Sequence, residues 1–170
     1  MVIAAKIATI LALGVLAIQD YKLLSFHLLL VPLLITLLAI TTYLETSLSF
    51  LFLIVTSNVS IGALFLLGIW IYHSFKEGYF INPIDNSIGL GDVLFMLILS
   101  VAFNSHSYIL FFLSTSIFGL LIALLLFLRG RTFSKIKLPF AGMQATFLAL
   151  IISLELFNGN NLRYSFNIPF

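Results

Sequence analysis

Apolar residues form six long runs along the chain, each near the length that a helix needs to cross a bilayer. About 20 residues are needed, because a helix rises about 1.5 Å per residue and the hydrocarbon core is roughly 30 Å thick. The runs predict spans at residues 2–19, 26–44, 50–73, 90–104, 107–128 and 139–157. This pattern predicts an all-α, polytopic membrane protein with about six transmembrane helices.

Three of these runs are irregular. Polar residues at Ser57, Asn58 and Ser60 interrupt the third run, which could instead be a short half-span followed by a helix over 59–73. The fourth run is short unless it begins inside the preceding glycine motif. The first run resembles a secretory signal, but Gln19 and Asp20 after it do not resemble a cleavage site of small residues, so we interpret it as a mature helix.

Composition supports a membrane environment. Of 170 residues, 62% are hydrophobic and 8% are charged, which is more apolar surface than a soluble domain of this size can hide. No segment reads as a linker, so residues 1–170 are predicted to form a single transmembrane domain without a separate soluble module. The absence of cysteine excludes disulfides, thiolate metal sites and cysteine nucleophiles. The small net charge of +2 gives no indication of a nucleic-acid partner.

The positions of the basic residues predict the orientation. Short cytoplasmic loops collect Lys and Arg, and with six spans the loops 1–2, 3–4 and 5–6 share one side of the membrane. Only Lys6 and Arg163 would lie on the other side. Both termini are therefore predicted outside a cytoplasmic (inner) membrane. The other six basic residues, in the three loops predicted to be cytoplasmic, are Lys22, Lys76, Arg129, Arg131, Lys135 and Lys137.

The candidate chemistry lies in Asp20 and Asp92. Asp20 ends the first predicted span and Asp92 opens the fourth, directly after Gly89-Leu90-Gly91, so both are expected at the cytoplasmic boundary. An ionisable residue at the edge of a lipid-length run is costly and is often functional. Two facing carboxylates do not both ionise cheaply, so one keeps a proton and the other acts as a base. Such a pair can activate water for peptide hydrolysis without a metal.

Simpler structural roles exist for each acidic residue. Asp92 could cap the following helix through its first free amides, and Asp20 could be an interfacial charge near Lys22. The third aspartate, Asp85, follows Asn82-Pro83 and is interpreted as a solvated loop carboxylate. The spacing of the three histidines, His27, His73 and His106, does not favour a metal site, so no metal and no cofactor are predicted.

These residues resemble a family of membrane proteases, the GxGD aspartyl proteases, and within it the type IV prepilin peptidases and archaeal preflagellin peptidases. The resemblance rests on three motifs: Gly89-Leu90-Gly91-Asp92, Asp20 with Lys22 two positions on, and Leu138-Pro139-Phe140 opening the last run. It implies that Asp20 and Asp92 form the catalytic dyad. It also implies that Pro139 shapes the substrate channel.

The resemblance further implies the short, peptidase-only form, without methyltransferase activity. The implied activity is an aspartic endopeptidase that removes a short basic leader from prepilin-like precursors, in the manner of type IV pilus systems, at the cytoplasmic membrane face. Gly89 and Gly91 are expected to admit the substrate backbone, because glycine lets another chain approach closely.

One departure from the family supports a different function. The family usually has a lysine two residues after the aspartate of the glycine motif, and this chain has Leu94. The alternative hypothesis is therefore a catalytically inactive membrane scaffold or assembly factor with the same fold. A small transporter is less favoured, because the spans hold few of the polar residues that a conducting path needs.

Overall fold

The computed structural model describes residues 1–78, 89–129, 138–159 and 161–164. Within these ranges every regular element is helical. A 3₁₀ turn, Leu162–Tyr164, follows the last of six α-helices. The helices are α1 (Val2–Leu23), α2 (Leu30–Glu45), α3 (Leu48–Glu77), α4 (Leu90–Ala102), α5 (Ser105–Leu128) and α6 (Phe140–Asn158).

The outer faces of the long helices are apolar. Leu11 on α1, Leu64 on α3 and Leu120 on α5 are each about two-thirds exposed, at 67%, 68% and 69%. Side chains of this kind are stable on an outer surface when the surrounding solvent is lipid. The prediction of a helical membrane protein agrees with this surface.

Four of the six helices, α1, α3, α5 and α6, are long and apolar enough to cross a membrane. The other two, α2 and α4, are apolar but have only 16 and 13 residues. A 13-residue helix rises about 20 Å, less than the roughly 30 Å of a hydrocarbon core. Six helices match the six predicted runs, but only four meet the length of a full span.

The connection between α1 and α2 lies elsewhere than predicted. α1 continues past Asp20 to Leu23 and ends where Leu24 adopts a left-handed conformation, with φ 52°. The next helix begins at Leu30 rather than residue 26, which places Pro32 in its first turn, where a missing amide proton costs nothing. The intervening loop is tied back to α1, because the His27 amide donates to Oε1 of Gln19 at 3.0 Å.

Residues 48–77 form one continuous helix, so the half-span alternative for this segment is wrong. The polar residues that suggested a break have partners. The Ser60 hydroxyl donates to the Thr56 carbonyl within α3. Asn58, fully buried, donates through Nδ2 to the carbonyls of Ser100 and Phe103 at 2.9 and 2.8 Å.

Hydrogen bonds from Asn58 explain how α4 can end inside the bundle. The last carbonyls of any helix lack intrahelical donors, and leaving them unpaired in an apolar interior is costly. At the end of α4, Asn58 supplies donors from α3, and the Thr42 hydroxyl donates from α2 to the Val101 carbonyl at 3.0 Å. Two neighbouring helices therefore cap α4 with their side chains.

α4 lies at the centre of the core. It packs against α2 and α3, while α1 packs most extensively on α6 and α2. The fully buried apolar side chains come from five helices, with Ile54 as the contribution of α3. They include Leu13 and Leu16 of α1, Leu34 and Leu38 of α2, Phe95, Ile98 and Leu99 of α4, and Leu148 and Ile152 of α6.

Four buried charges form an ion-pair ring that joins the start of α1, the ends of α2 and α6, and the 3₁₀ turn. Lys6 Nζ lies 2.6 Å from Glu45 Oε1 and 3.1 Å from Glu155 Oε2. Arg163 closes the ring, with Nη2 2.9 Å from Glu45 Oε2 and Nε 3.0 Å from Glu155 Oε2. The charges of the two cations balance those of the two carboxylates. Buried charges are tolerated in proteins when they are paired in this way. These partners were not predicted from the sequence, where Lys6 and Arg163 were interpreted only as topology signals.

Several sequence predictions fall outside the described residues. They concern Asp85 and the loop residues Arg131, Lys135 and Lys137. The interpretations given to these four residues stay predictions.

Candidate functional site

Asp20 lies one turn before the end of α1 and is buried, with 6% of its surface exposed. Its Oδ2 accepts a hydrogen bond of 2.6 Å from the backbone amide of Gly142, in the first turn of α6. A short bond from an amide to a carboxylate is among the stronger hydrogen bonds in proteins. Asp20 is therefore a buried carboxylate that is anchored to α6.

Asp92 lies in the first turn of α4 and is half-buried. The N-cap position of α4 is Gly89, so Asp92 is the third residue of the helix and not its cap. Its carboxylate interacts with the backbone amides of Gly89 and Ala141. The first of these contacts resembles the reciprocal half of a capping box, in which an acidic side chain reaches back to the N-cap amide. The second contact connects α4 to α6.

The two aspartates meet at a single turn of α6. Ala141 faces Asp92 and the next residue, Gly142, donates to Asp20. The two carboxylates therefore lie beside consecutive residues of α6. The amide protons at a helix N-terminus also carry a partial positive charge, which favours carboxylates there. The structure thus brings together the two residues that the sequence analysis paired, at the end of the bundle opposite the ion-pair ring.

Gly142 makes this close approach possible. A Cβ atom at this position would lie 3.1 Å from both Cβ and Oδ2 of Asp20 and 3.3 Å from the Ala17 carbonyl oxygen. The Ala17 atom belongs to the backbone of α1 and cannot move alone, so any side chain at Gly142 would push α1 and α6 apart. Ala141 and Gly142 were not among the candidate residues predicted from the sequence. A glycine soon after a helix-opening proline was the one signal that could have identified them.

The two glycines of the motif differ in their surroundings. A Cβ at Gly89 would lie 3.4 Å from Asp92 Oδ2, an ordinary contact distance. At Gly91 the corresponding distance is 3.1 Å, to Cε1 of Phe26 in the loop after α1. The missing side chain of Gly91 therefore makes room for an aromatic ring of the same chain. The role of both glycines in admitting a substrate backbone stays a prediction.

Pro139 is the N-cap residue of α6, immediately before the turn that holds both aspartates. It lines an open, mainly apolar groove of about 310 Å³ together with Tyr21, the residue after Asp20, and Met143, the residue after Gly142. The three sequence neighbours of the site thus face one common space. The proposed contribution of Pro139 to a substrate channel remains a prediction.

Metal-binding side chains do not gather in the part of the chain that the structure describes. Within those residues, no three side chains among His, Cys, Asp and Glu are grouped as ligands of one ion.

Comparisons with known proteins give no further assignment. No family model matches the chain, and neither a curated protein nor a solved structure matches it. The resemblance to the GxGD proteases therefore rests on the motif residues of this sequence alone.

Proposed function

We propose that this protein is a membrane aspartic endopeptidase that uses Asp20 and Asp92 to activate water. One observation carries the proposal: two aspartates from distant parts of the sequence share consecutive backbone positions, Ala141 and Gly142, at the start of α6. Carboxylates that served only to cap helix ends would not be expected to converge there, because bringing like charges together in a partly buried place is unfavourable.

A pair of this kind works with one shared proton. The ionised carboxylate takes a proton from a water molecule, which attacks the carbonyl carbon of the scissile peptide bond, and the protonated carboxyl supplies the proton that the leaving amine requires. The two groups form one coupled titrating unit, so neither residue has a fixed role as acid or base. The amide of Gly142 holds Oδ2 of Asp20, which leaves its other oxygen for this chemistry.

The proposed substrates are prepilin-like precursors, each with a short basic leader before a hydrophobic helix. The scissile bond would lie in an extended or unwound segment, because a regular helix shields its peptide bonds. We place the site at the cytoplasmic face of the inner membrane, with both termini outside, on the distribution of Lys and Arg. Backbone pairing next to Gly89 and Gly91 would supply affinity, in the manner of strand addition. A substrate that reaches Gly91 has to displace the Phe26 ring.

The second candidate function is an inactive scaffold or assembly factor of the same fold. Leu94, at the position where the family usually has lysine, is the observation that favours it. A scaffold would bind a prepilin-like precursor without cutting it, and its binding would be insensitive to neutral replacements of the aspartates.

Co-expression with a tagged prepilin-like precursor distinguishes the two functions. In cells that lack another prepilin peptidase, the wild-type protein is expected to convert the precursor to the shorter mature form, and Asp92→Asn is expected to stop this conversion. A wild-type protein that co-purifies with the precursor and leaves it full-length would support the scaffold and reject the peptidase.

A further inference from the structure

A cavity of about 120 Å³ lies between α3, α4 and α5. Its lining is mostly apolar, but it includes three side chains that carry oxygen atoms, Asn58, Ser100 and Tyr108. All three are almost completely buried, with 0%, 3% and 3% of their surfaces exposed. A polar atom in such a place needs a hydrogen-bond partner, because leaving it unpaired costs free energy.

The side-chain amide of Asn58 is only half satisfied. Its Nδ2 donates to the carbonyls of Ser100 and Phe103. Because a carbonyl can only accept, these two bonds fix the orientation of the amide and place Oδ1 on its opposite side. Oδ1 is buried and accepts no hydrogen bond from any residue that the structure describes. It is therefore a buried acceptor that needs a donor from outside those residues.

The Tyr108 hydroxyl reaches the same cavity from α5. Its oxygen lies 3.2 Å from the position that a Cβ of Gly62 would take. Gly62 follows Asn58 by four residues, so the two share one face of α3, at a spacing where Cβ atoms are about 5–6 Å apart. A molecule that makes two hydrogen bonds of about 2.8 Å can span this distance. Gly62 therefore leaves room for a small bridging molecule between the two side chains.

Water has the hydrogen-bonding groups that these three side chains require. One water molecule can donate to Asn58 Oδ1 and to Ser100 Oγ, and it can accept the proton of the Tyr108 hydroxyl. The Ser100 hydroxyl gives its own proton to the Leu97 carbonyl at 2.7 Å, which leaves its lone pairs to accept. About three hydrogen bonds are typical of a buried water, whose share of volume is about 30 Å³. The cavity is large enough for more than one such molecule.

We infer that the cavity between α3, α4 and α5 is a binding site for water, which bridges Asn58 and Tyr108 and so ties α5 to the rest of the bundle by hydrogen bonds. A lipid acyl chain is the competing occupant, because Val59 and Leu97, which also line the cavity, are 40% and 41% exposed. An acyl chain offers no donor to Oδ1, so the unpaired acceptor favours water. The inference does not depend on the proposed peptidase function.

A crystal structure of the protein grown from a lipidic mesophase, at a resolution that shows ordered water, tests the site directly. The expected result is an isolated density peak within about 3.2 Å of both Asn58 Oδ1 and the Tyr108 hydroxyl oxygen. Elongated density of an acyl chain, a cavity without density, or a direct hydrogen bond between the two side chains would overturn the inference.

Two glycines of α3 provide a matched pair of variants for the same measurement. Gly62→Ala is expected to abolish the peak, because its Cβ would lie 3.2 Å from the Tyr108 hydroxyl oxygen and 3.6 Å from Cε of Met96. Gly68→Ala is expected to retain the peak, since a Cβ there has no atom within 4 Å. An undiminished peak in Gly62→Ala, or its loss in Gly68→Ala, would contradict the placement of the water beside Gly62.

Stability in detergent micelles gives the second readout. Tyr108→Phe is expected to lower the folding equilibrium constant about fivefold, the effect of losing one hydrogen bond. In an Asn58→Leu background the same substitution is expected to change this constant by less than about twofold, because the water has already lost its acceptor. Tyr43→Phe, at a residue that is 52% exposed, is the control and should also stay within about twofold. Equal losses from Tyr108→Phe in both backgrounds would overturn the bridge.

Discussion

The backbone amide of Gly142 donates a hydrogen bond of 2.6 Å to Oδ2 of Asp20, joining the first turn of α6 to the last turn of α1. The contact depends on the absence of a side chain at residue 142, where a Cβ would meet Asp20 and the Ala17 carbonyl. The position of the Asp20 carboxylate is therefore set by the packing of α1 against α6.

Gly142→Ala is expected to destabilise the protein by about 1–3 kcal/mol, the usual cost of overpacking a close contact. It should also lower cleavage, because the shift of α6 moves the amide away from Asp20. Chemical unfolding in detergent micelles measures the first effect, and the rate of precursor processing measures the second.

Gly14→Ala is the control for that substitution. Gly14 lies inside α1, and a Cβ there has no atom within 4 Å. Stability is expected to stay within about 1 kcal/mol of wild type, with any change favourable, since Ala is the better helix former. Equal losses for Gly14→Ala and Gly142→Ala would show that the close contact with Asp20 is not the cause.

Loss of one carboxylate from the ion-pair ring is expected to reduce stability strongly, although the ring lies far from the two aspartates. Glu155→Gln leaves Lys6 and Arg163 to share the single carboxylate of Glu45, and an uncompensated buried charge costs about 3–5 kcal/mol. The free energy of unfolding, measured in micelles, tests this. Glu77→Gln, at the exposed end of α3, should change stability by less than about 0.5 kcal/mol.

Removal of a cation should partly compensate for the lost carboxylate. Lys6→Met combined with Glu155→Gln restores the charge balance of the ring, so the double variant should lose clearly less stability than the sum of the two single variants. Strict additivity would mean that Lys6 and Glu155 do not interact in the folded protein.

Replacement of Asn58 is expected to destabilise the protein, because Asn58 caps the end of α4. Asn58→Leu keeps the approximate size of the side chain but removes the donors to the Ser100 and Phe103 carbonyls. The expected cost is about 1–3 kcal/mol for leaving buried acceptors unsatisfied. Thr56→Val is the control, because Thr56 is exposed and its hydroxyl donates to the Phe52 and Leu53 carbonyls of its own helix. Similar unfolding midpoints for the two variants would argue against the capping role.

The apolar runs predicted the helices well and their ends less well. Hydropathy cannot tell where a buried helix stops, and α4 stops at Ala102 because Thr42 and Asn58 supply donors from two other helices. The same limit explains α2, whose start is fixed by Pro32 and not by a change in hydropathy. Both differences arise from backbone hydrogen bonding.

The site was predictable in part. Asp20 and Asp92 could be paired from their helix ends, because topology alone puts them on one side. Their shared contact with Ala141 and Gly142 could not be predicted from the sequence, since it depends on how closely α6 approaches α1 and α4. The ion-pair ring was missed for a similar reason: Lys6 and Glu155 are neighbours only after the whole chain has folded.

We propose that Asp20 and Asp92 act as one catalytic unit, and a double-mutant cycle on cleavage tests this shared role. The purified wild-type protein, Asp20→Asn, Asp92→Asn and the double variant are each incubated with a prepilin-like precursor, and the product is quantified by mass spectrometry. Each single substitution is expected to reduce the rate at least about 100-fold, and the double variant should be no slower, because residues of one catalytic unit are not additive. Unimpaired cleavage by either single variant, or losses that multiply in the double variant, would contradict a shared catalytic role of the two aspartates.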